Sequence, residues 1–442
     1  MALSTPTTIR TLQRKLSQKA KSEPVFRFYA LYDKVCRADI LSHAYALVRA
    51  NKGASGIDGR TWEAIDAEEG KEGFLTKLQA ELKSKRYRAQ AVRRVWIPKP
   101  DGSQRPLGIP TIKDRVVQMA VKLVIEPIFE ADFCATSYGF RPHRSAHDAA
   151  DAVAEALHAG YGYVIDADLS QYFDSIPHAN LMAVVAERIA DGAIFGLLKQ
   201  WLTAPVVEED EHGTTRSCRG KGTRKGIPQG GVISPLLANL YLHVVDRIWA
   251  RREVGQRLRA KIVRYADDLV VLCACDVAPS LKVLRQLLGR LELRLNEEKT
   301  KGVNAWKERF DFLGFSFGMR TGRTSGKRYP HVEPSHRSLQ RITTRVTRLT
   351  ARGLTPIPLP RVVETLNQYV RGWAGYFHYR NCSTALSRVK WQVEERLRTH
   401  LRKRHKVKSR AAGYEQFPTR MLYARYGLFK LPTTAGWTRA HA

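Results

Sequence analysis

The chain has 442 residues, of which 43% are hydrophobic and 9% aromatic, so it can form about two to four folded domains and is not a disordered protein. Its formal net charge is +32, from 74 Lys and Arg against 42 Asp and Glu. The last 112 residues hold 22 Lys and Arg but only 5 Glu and no Asp. Such an excess favours a polyanionic partner, and nucleic acid is the most common one.

Several classes of site are excluded or disfavoured. The 6 cysteines form no C-x-x-C pair and there is no H-E-x-x-H, so neither a zinc site nor a disulfide framework is indicated, and we expect a reducing compartment. No apolar run approaches the roughly 18 residues of a membrane span. The first 22 residues contain no acid. They predict either a basic arm that contacts RNA or an organellar transit peptide; we expect the former, in the bacterial cytoplasm near the nucleoid rather than in an organellar matrix.

The first half of the chain alternates helical and extended patterns. Residues 23–50 carry apolar side chains at helical spacing, and the Gly-rich turn "NKGASGIDGRTW" follows. "VRRVWIPKPDGSQRPLGIP" predicts two short strands joined at Asp101-Gly102, a dipeptide that favours a hairpin turn. A helix is predicted over about 113–129. "YVIDADLSQYFDSI" then predicts a buried strand that carries acids and leads into a helix.

The next segments contain a second group of acids. "GIPQGGVISPLLANLYLHVVDRIWA" begins as a glycine loop and predicts a helix from Ser234-Pro235, where Ser caps and Pro takes the first helical position. "KIVRYADDLVVL" predicts two strands with Asp267 and Asp268 at the bend between them, because a strand interior disfavours Asp. A solvent-exposed acidic turn is the alternative. A helix over about 279–293 and the stretch "FDFLGFSF" complete this block.

The C-terminal quarter predicts basic helices. Leu339, Ile342, Val346 and Leu349 form one helical face, and the opposite face, which we expect to lie along a phosphate backbone, carries Arg337, Arg341, Arg345 and Arg348. The run "LRKRHKVKSR" adds Arg402, Lys403, Arg404, Lys406, Lys408 and Arg410. We divide the chain into a basic extension with the first helices (1–80), a mixed block (81–320), a linker (321–335), a helical block (336–402) and a basic tail (403–442).

Two motifs resemble a known family. "DLSQYFD" (168–174) resembles the first catalytic motif of reverse transcriptases, an Asp followed five and six residues later by an aromatic residue and a second Asp, and "YADD" resembles the second motif. On a strand Asp166 and Asp168 share a face, so periodicity does not choose between them. Counting from Asp168 gives Phe173 and Asp174, whereas the same count from Asp166 gives no acid. Asp168 is therefore the match, and we assign Asp166 and Asp174 structural roles.

A wider resemblance covers residues from about 10 to 430. The chain resembles bacterial group II intron-encoded reverse transcriptases, the maturases, through "RANKGASGIDG", "IPKPDGSQRPLGIPTIKDRVVQ", "SYGFRPHRSAHDA", "GIPQGGVISPLLANLYL", "LRLNEEKTK", "FLGFSF" and "QYVRGWAGYF". The resemblance implies an α/β (α+β) right-hand polymerase. Its fingers and palm, with an antiparallel palm sheet, would precede an α-helical thumb called domain X.

The resemblance also implies roles for individual residues. Asp168, Asp267 and Asp268 would hold two Mg²⁺ ions, which suit hard oxygen ligands and an in-line phosphoryl displacement. Lys299 would protonate the leaving pyrophosphate, although Lys301 is close in sequence. The residues implied at the incoming dNTP are Lys99, Arg105 and Gln229, with Phe173 as a gate beneath the sugar. Leu313 and Gly314 would form the primer grip, the turn that holds the primer end.

The function implied is RNA-dependent DNA synthesis together with binding of intron RNA to assist splicing and mobility. The expected partners are group II intron RNA, an RNA template with a DNA primer, target DNA and dNTPs, but no membrane. The sequence leaves open whether two copies of the chain form a dimer. Alternatives are a splicing cofactor with little polymerase activity, a specialised bacterial reverse transcriptase outside introns, and an RNA-dependent RNA polymerase, which Phe173 disfavours. No H-N-H endonuclease pattern with cysteine pairs follows the basic run, so we expect the priming strand to come from elsewhere.

Overall fold

The computed structural model describes residues 3–98, 102, 104–209, 215–220, 222–251, 253–322 and 324–436. Its helices are α1 (Thr7–Ser22), α2 (Tyr32–Val35), α3 (Ala38–Ala50), α4 (Trp62–Glu68), α5 (Gly70–Lys83), α6 (Ile112–Glu130), α7 (Ala146–His158), α8 (Tyr172–Ser175), α9 (His178–Ala186), α10 (Gly192–Leu202), α11 (Ser234–Arg251), α12 (Val254–Arg257), α13 (Ala278–Arg290), α14 (His336–Leu349), α15 (Leu359–Phe377), α16 (Ser383–Arg404), α17 (Arg410–Gln416) and α18 (Thr419–Ala424). Its strands are β1 (Val92–Pro98), β2 (Gln104–Ile109), β3 (Tyr163–Ala167), β4 (Val206–Glu209), β5 (Thr215–Arg219), β6 (Ala260–Tyr265), β7 (Asp268–Cys273), β8 (Lys301–Asn304), β9 (Phe310–Phe312), β10 (Phe315–Thr321) and β11 (Arg328–Pro334).

The N-terminal helices and the first hairpin form the fingers. The buried helix α6 lies at their centre, and α1, α2 and α3 pack against it. The predicted basic arm is therefore a packed helix over most of its length, with Ile9 and Leu16 buried. The Thr111 hydroxyl caps α6 by accepting the N–H of Asp114. β1 pairs antiparallel with β2 and parallel with β4, in a sheet of order β2-β1-β4-β5.

The palm is a four-stranded sheet that separates two hydrophobic cores. Its order is β6-β7-β3-β8 and every pair is antiparallel, so the predicted antiparallel palm sheet is confirmed. Because side chains alternate along a strand, Ile165 and Val271 face the core shared with the fingers. Val164 and Val270 face the core shared with α7 and the C-terminal helices. Both faces of the sheet are therefore covered by packed apolar residues.

The segment after the palm differs from the predicted linker at 321–335. Strand β11 pairs with β10 along its whole length, so a hairpin occupies much of that segment. Val332 of β11 is buried opposite Phe317. β11 is an edge strand in the order β11-β10-β9, where a proline such as Pro330 is tolerated because one side of the strand has no partner. The two prolines of "RYPHVEP" favoured a loop in the sequence.

The C-terminal helices form the thumb. α14 packs against α15 and α16 through buried side chains that include Ile342, Val346 and Leu397. The predicted tail at 403–442 is not separate over its described part, since α17 and α18 contact α16. Phe417 and Leu422 belong to the same core as the thumb helices. The prediction of α-helices in the C-terminal part is confirmed, and helices continue beyond residue 402.

Candidate active site

The two adjacent aspartates lie at the bend between β6 and β7. Ala266 has a φ of 57°, in the left-handed region, and the chain reverses there. Gly139 lies directly against this bend, because a Cβ at Gly139 would be 2.3 Å from the nitrogen of Ala266. A side chain at position 139 would push the bend away. Asp267 is half-buried, and water reaches the side chain of Asp268.

A buried arginine holds this bend from behind. Arg264 and Asp246 form an ion pair in which both side chains are 0% exposed. Arg264 Nη1 donates to the Ala266 carbonyl at 3.0 Å and to Asn239 Oδ1 at 2.9 Å, and Nη2 donates to Ser137 Oγ at 2.7 Å. Nε and Nη2 also donate to Asp246, so all five N–H groups of the guanidinium have acceptors. The carbonyl that precedes Asp267 is thereby fixed.

Asp168 follows β3 and lies beside Lys299. Its backbone N–H donates to the Thr300 hydroxyl at 3.4 Å, and its carbonyl accepts the N–H of Asn296 at 2.8 Å. The turn over 296–300 therefore brings Lys299 Nζ to 3.9 Å from Asp168 Oδ2. Lys301 instead pairs with Asp166 across β8 and β3. The structure thus places Lys299, rather than Lys301, next to Asp168.

Three acids at this end of the palm sheet have raised pKa values. Burial and the charges of Asp168 and Asp311 raise the pKa of Asp166 to about 6. Desolvation by the surrounding protein, and after it the charges of Asp267, Asp166 and Asp168, raise the pKa of Asp268 to about 6. The side chain nevertheless remains accessible to water. Burial raises the pKa of Asp267 too, and Arg105 opposes that rise. Ionisation of all these carboxyl groups at the same time is therefore unfavourable, because their negative charges repel one another.

The fingers hairpin meets the glycine loop in front of these acids. Arg105 Nε donates to Gln229 Oε1 at 2.8 Å, and the N–H of Gly108 donates to the Gln229 carbonyl at 2.6 Å. Gly230 has a φ of 109°, and a Cβ there would be 2.3 Å from the Gly108 carbonyl oxygen, so only glycine allows this contact. Lys99, the other predicted triphosphate contact, lies outside the described residues.

Phe173 lies in α8 between Asp168 and the glycine loop. Its side chain is buried and its ring contacts Tyr172 edge-on, with 5.5 Å between the ring centroids. Its carbonyl accepts the N–H of Ile227 at 2.7 Å, which ties it to the segment that carries Gln229. The structure therefore joins the predicted gate to the predicted nucleotide contact.

The thumb holds the predicted primer grip. Leu313 and Gly314 form the turn between β9 and β10, with φ values of 51° and 80°. The Tyr376 hydroxyl of α15 donates to the Leu313 carbonyl at 2.9 Å, and the Ser338 hydroxyl of α14 donates to the Gly314 carbonyl at 2.9 Å. Tyr376 also stacks on His147 of the palm helix α7, at 5.1 Å between centroids. The turn thus depends on thumb side chains for its position.

All four arginines of the α14 face are exposed, and two of them also interact with neighbouring elements. Arg341 and Arg348 are exposed. Arg337 is exposed and lies close to the palm. Its positive charge opposes the larger effect of burial, which raises the pKa of Asp166. The Arg345 guanidinium lies 5.7 Å above the Tyr369 ring on α15. This face therefore extends from the thumb towards the palm acids.

The basic run after α16 is also divided. Arg404 Nη1 donates to the carbonyls of Thr355 and Ile357, each at 2.7 Å, and so closes the turn between α14 and α15. Arg410 pairs with Glu395 at 2.9 Å. The aliphatic part of Arg402 packs against α17 at Gly413. Lys403, Lys406 and Lys408 are exposed. These three lysines are the members of the run that remain available to phosphate on structural grounds.

Sequence reasoning missed the residues that support the site. Arg264 stands inside an apolar strand immediately before "YADD", and a charged residue there could have suggested a buried pair. Asn239 and Asp246 are polar residues seven apart in the apolar helix "LLANLYLHVVD", so they share a face. Tyr376 belongs to the aromatic stretch "QYVRGWAGYF". Its contact with Leu313 had no local sequence signal.

Two further findings concern metals and membranes. In the described part of the chain, no three His, Cys, Asp or Glu side chains are grouped as a preformed metal site. Among the helices of that same part, none is long and apolar enough to cross a bilayer.

Comparison with known proteins identifies two family matches. The family described as reverse transcriptase (RNA-dependent DNA polymerase) matches residues 97–317, half of the chain. The group II intron maturase-specific domain matches residues 339–417, which include most of α14 and all of α15, α16 and α17. Among solved structures, a chain of a partial Cas6-RT-Cas1–Cas2 complex covers 61% of this chain and 43% of its own length at 22% identity, with a TM-score of 0.34. That superposition is too loose to support an argument.

Curated relatives agree with both matches. Protein YkfC of Escherichia coli K12 is 34% identical over 368 residues, which is 75% of this chain and 93% of YkfC. The group II intron-encoded protein LtrA of Lactococcus lactis subsp. cremoris is 33% identical over 285 residues, 64% of this chain, and the match spans only 44% of LtrA. An uncharacterised 91 kDa protein in a cob intron of Schizosaccharomyces pombe is 24% identical over 82% of this chain and 52% of its own length. Together with the palm geometry, these matches establish that the chain belongs to the reverse transcriptase family, among the group II intron reverse transcriptases with a maturase domain.

Proposed function

We propose that this protein copies RNA into DNA at the cleft between the palm acids and the fingers hairpin, with two Mg²⁺ ions. One observation carries the proposal. Asp168 and Asp267 are far apart in the chain but close in space, since, in addition to burial, the charge of Asp168 raises the pKa of Asp267 and the charge of Arg105, on the fingers hairpin, lowers it. A metal-dependent nucleotidyl transfer needs acids for the ions and a cation for the triphosphate in one place.

The acids fit a pair of divalent ions. Asp168, Asp267 and Asp268 offer hard oxygen ligands, and their charged forms repel one another, so bound cations would relieve that repulsion. Mg²⁺ takes one or two carboxylates from protein and completes its shell with water and substrate phosphate. When bound, the ions would favour the ionised attacking hydroxyl and neutralise charge on the leaving group.

The chain's own residues would orient the reactants. The bond that forms joins the primer 3′ oxygen to the α-phosphorus of the dNTP, and the bond that breaks releases pyrophosphate. Arg105, fixed by Gln229, would donate charge-assisted hydrogen bonds to the triphosphate, with Lys99 as a second cation. Lys299 would hold a proton on Nζ near Asp168 and transfer it to the pyrophosphate oxygen that leaves.

Primer extension tests this function. The purified protein should extend a DNA primer on an RNA template with Mg²⁺ and dNTPs, and Asp168→Ala should not. Absence of product from the wild-type protein, or equal product from the variant, would contradict the proposal.

In metal-free buffer, Asp268→Asn should stabilise the protein at pH 8. Folding raises the pKa of Asp268 from 3.8 to about 6, so the folded state binds this proton more readily than the unfolded state. The stability contributed by this group therefore falls as the pH rises from about 4 to about 6, and the full cost remains above that window. Asparagine removes the cost, which is on the order of 1 kcal/mol after allowance for solvent screening. The thermal unfolding midpoint in EDTA measures it.

The controls for this prediction are pH and metal. The difference between the midpoints should shrink towards pH 4. Mg²⁺ added at pH 8 should raise the wild-type midpoint more than that of the variant. Asp276→Asn, at an exposed acid just beyond the opposite end of β7, should show neither effect. Destabilisation of Asp268→Asn at pH 8 in EDTA would contradict the repulsion on which the metal proposal rests.

Phe173→Ala should let the enzyme accept ribonucleotides. The buried ring would leave no room for a 2′-hydroxyl, and its removal opens that space. We expect the preference for dNTPs over rNTPs, as a ratio of kcat/KM values, to fall at least about tenfold, the size of a steric discrimination in a tight pocket. Single-nucleotide incorporation with each substrate gives the ratio. An unchanged ratio with a well-folded variant would remove Phe173 from the gate.

Tyr376→Phe should weaken primer binding while the chemical step continues. The change removes only the hydroxyl that donates to the Leu313 carbonyl, a hydrogen bond worth about 1 kcal/mol net. We expect KM for the template–primer to rise by about fivefold with kcat nearly unchanged. Tyr369→Phe, on the same helix, keeps the ring that packs with Arg345 and is the control. A fall in kcat with KM constant would contradict a role in the primer grip.

A second function, assistance to splicing of an intron RNA, is favoured by the maturase-specific match and by the charge of the thumb. We propose that intron RNA binds the exposed cations of the thumb and the fingers extension in the bacterial cytoplasm, and that target DNA and the template–primer enter the palm cleft. A splicing assay at low Mg²⁺ tests it. Asp168→Ala should retain splicing, because the change leaves the basic surface intact. Loss of splicing together with polymerase activity would contradict two separable functions.

A further inference from the structure

A groove of about 750 Å³ lies between α14 and α16 on the thumb. His336, Gln340 and Thr343 line it from α14, and Arg388 and Trp391 line it from α16. None of the residues proposed above for the polymerase site lines it. Its volume lies in the range of about 300–1,000 Å³ that is typical of pockets for small organic ligands. The groove is therefore large enough to hold a planar ring.

Trp391 presents such a ligand with a flat aromatic surface. Its side chain is 56% exposed, whereas Trp373 of the neighbouring helix α15 is 9% exposed and packs on Phe377. Tryptophan normally buries most of its ring, because that ring carries a large apolar area. An exposed indole inside a concave site is suited to stacking.

The charge of the groove favours an anionic ligand. Arg388 and His336 are among its lining residues, and no Asp or Glu is. Glu395 lies one helical turn beyond Trp391, but it pairs with Arg398 and Arg410 and accepts the hydroxyl of Tyr414. Glu394, the acid nearest to Trp391 in sequence, is buried and accepts a hydrogen bond from the Tyr423 hydroxyl, so neither acid lines the groove. A nucleic acid fits this combination of a cation and an aromatic surface.

The groove is adjacent to the arginine face of α14. His336 and Gln340 each precede an exposed arginine, Arg337 and Arg341, and successive residues are about 100° apart around a helix. The groove and the arginine face are thus neighbouring sides of one helix. A strand whose phosphates follow Arg337 and Arg341 brings its bases next to Trp391.

We propose that this groove binds an unpaired base of a folded RNA, with Trp391 as the stacking platform and Arg388 as the contact for a flanking phosphate. The inference rests on the proposed function in that RNA is the partner, and it adds the structural class of RNA that is recognised. Bases inside a duplex are stacked on both faces, whereas loops and bulges offer a free face. Gln340, Thr343 and Ser387 supply hydrogen-bonding groups for base edges and the 2′-hydroxyl.

The test compares two RNA hairpins that differ by one bulged 2-aminopurine. The full-length protein should bind the bulged hairpin about tenfold more tightly than the fully paired one, and the fluorescence of the bulged base should be quenched by stacking. Trp391→Leu keeps an apolar side chain but removes the ring, so it should lose both the preference and the quenching. Trp391→Phe should retain most of each. Tyr163→Leu, which removes a 37% exposed ring at the end of β3 remote from Asp168, should retain both.

Several results would overturn the inference. The wild-type protein could bind both RNA hairpins with equal affinity, or Trp391→Leu could lose affinity equally for both. The protein could also prefer a bulged DNA hairpin to the same degree, or Trp391 could mediate self-association of the protein without any difference in affinity between the hairpins. Primer extension by the wild-type protein is measured in parallel. If the protein extends primers but does not prefer the bulged hairpin, only the inference about the groove is wrong. If it prefers the bulged hairpin but does not extend primers, the proposed polymerase function is wrong and the base-binding site remains supported.

Discussion

Asp267→Asn should lower the rate of primer extension by about a thousandfold. The substitution keeps the shape of the side chain but removes the charge that would hold Mg²⁺ at the bend between β6 and β7. Metal ions stabilise the charge of a phosphoryl-transfer transition state by several kcal/mol, and about 1.4 kcal/mol corresponds to a factor of ten in rate. Single-turnover extension by one nucleotide measures the chemical step directly.

Two comparisons separate this effect from loss of folding or binding. The affinity of Asp267→Asn for RNA in a filter-binding assay should match that of the wild-type protein, because the basic surfaces are intact. Asp276→Asn, also an acid-to-amide change near β7, should leave extension unchanged. A loss of less than about tenfold in Asp267→Asn would show that Asp267 is not a required metal ligand.

Arg264→Met should lower the free energy of unfolding by about 3–5 kcal/mol and abolish polymerase activity. The change leaves Asp246 as a buried charge without its partner. Removing one partner of a buried ion pair destabilises a protein much more than replacing both partners with apolar residues. It also removes the donors to Asn239, Ser137 and the Ala266 carbonyl. Urea denaturation followed by circular dichroism measures the stability, and primer extension measures the activity.

An exposed pair and a double variant distinguish charge burial from positioning. Arg285 makes the same two-bonded contact with Glu297, but both side chains are exposed, so Arg285→Met should cost at most about 1 kcal/mol. Arg264→Met with Asp246→Leu removes both charges and should recover much of the stability. Activity should stay low, because nothing then holds the Ala266 carbonyl. Recovery of activity along with stability would show that Arg264 does not position the bend.

Local patterns in the sequence predicted the elements that carry the acids and helix α14, but not strands such as β4, β5 and β11. The alternating apolar residues around Asp267 and Asp268 predicted the hairpin, and the arginine spacing predicted α14. The linker prediction at 321–335 differed from the structure because Pro330 argues against a strand unless that strand lies at an edge. Edge position is a property of the sheet, which the segment's own residues do not specify.

The relations within the candidate site depended on packing between distant segments. Arg105 and Gln229 are 124 residues apart, and the Tyr376 hydroxyl reaches a carbonyl 63 residues earlier in the chain. The sequence alone does not decide whether Lys299 or Lys301 lies beside Asp168. The structure decides it, because Lys301 is paired with Asp166 across β8 and β3 while Lys299 Nζ lies 3.9 Å from Asp168.

The sequence by itself determined the excess of positive charge, the elements around the acids and, through its motifs, the family, because each of these follows from residue types and spacings along the chain. The antiparallel palm followed from the family resemblance. Tertiary structure alone decided which acids lie close together, that Arg264 supports the bend, and that thumb side chains position the turn at Leu313 and Gly314. The physical reason is that burial and side-chain contacts arise where the two cores meet the palm sheet. Residues far apart in the chain become neighbours only when both cores are packed.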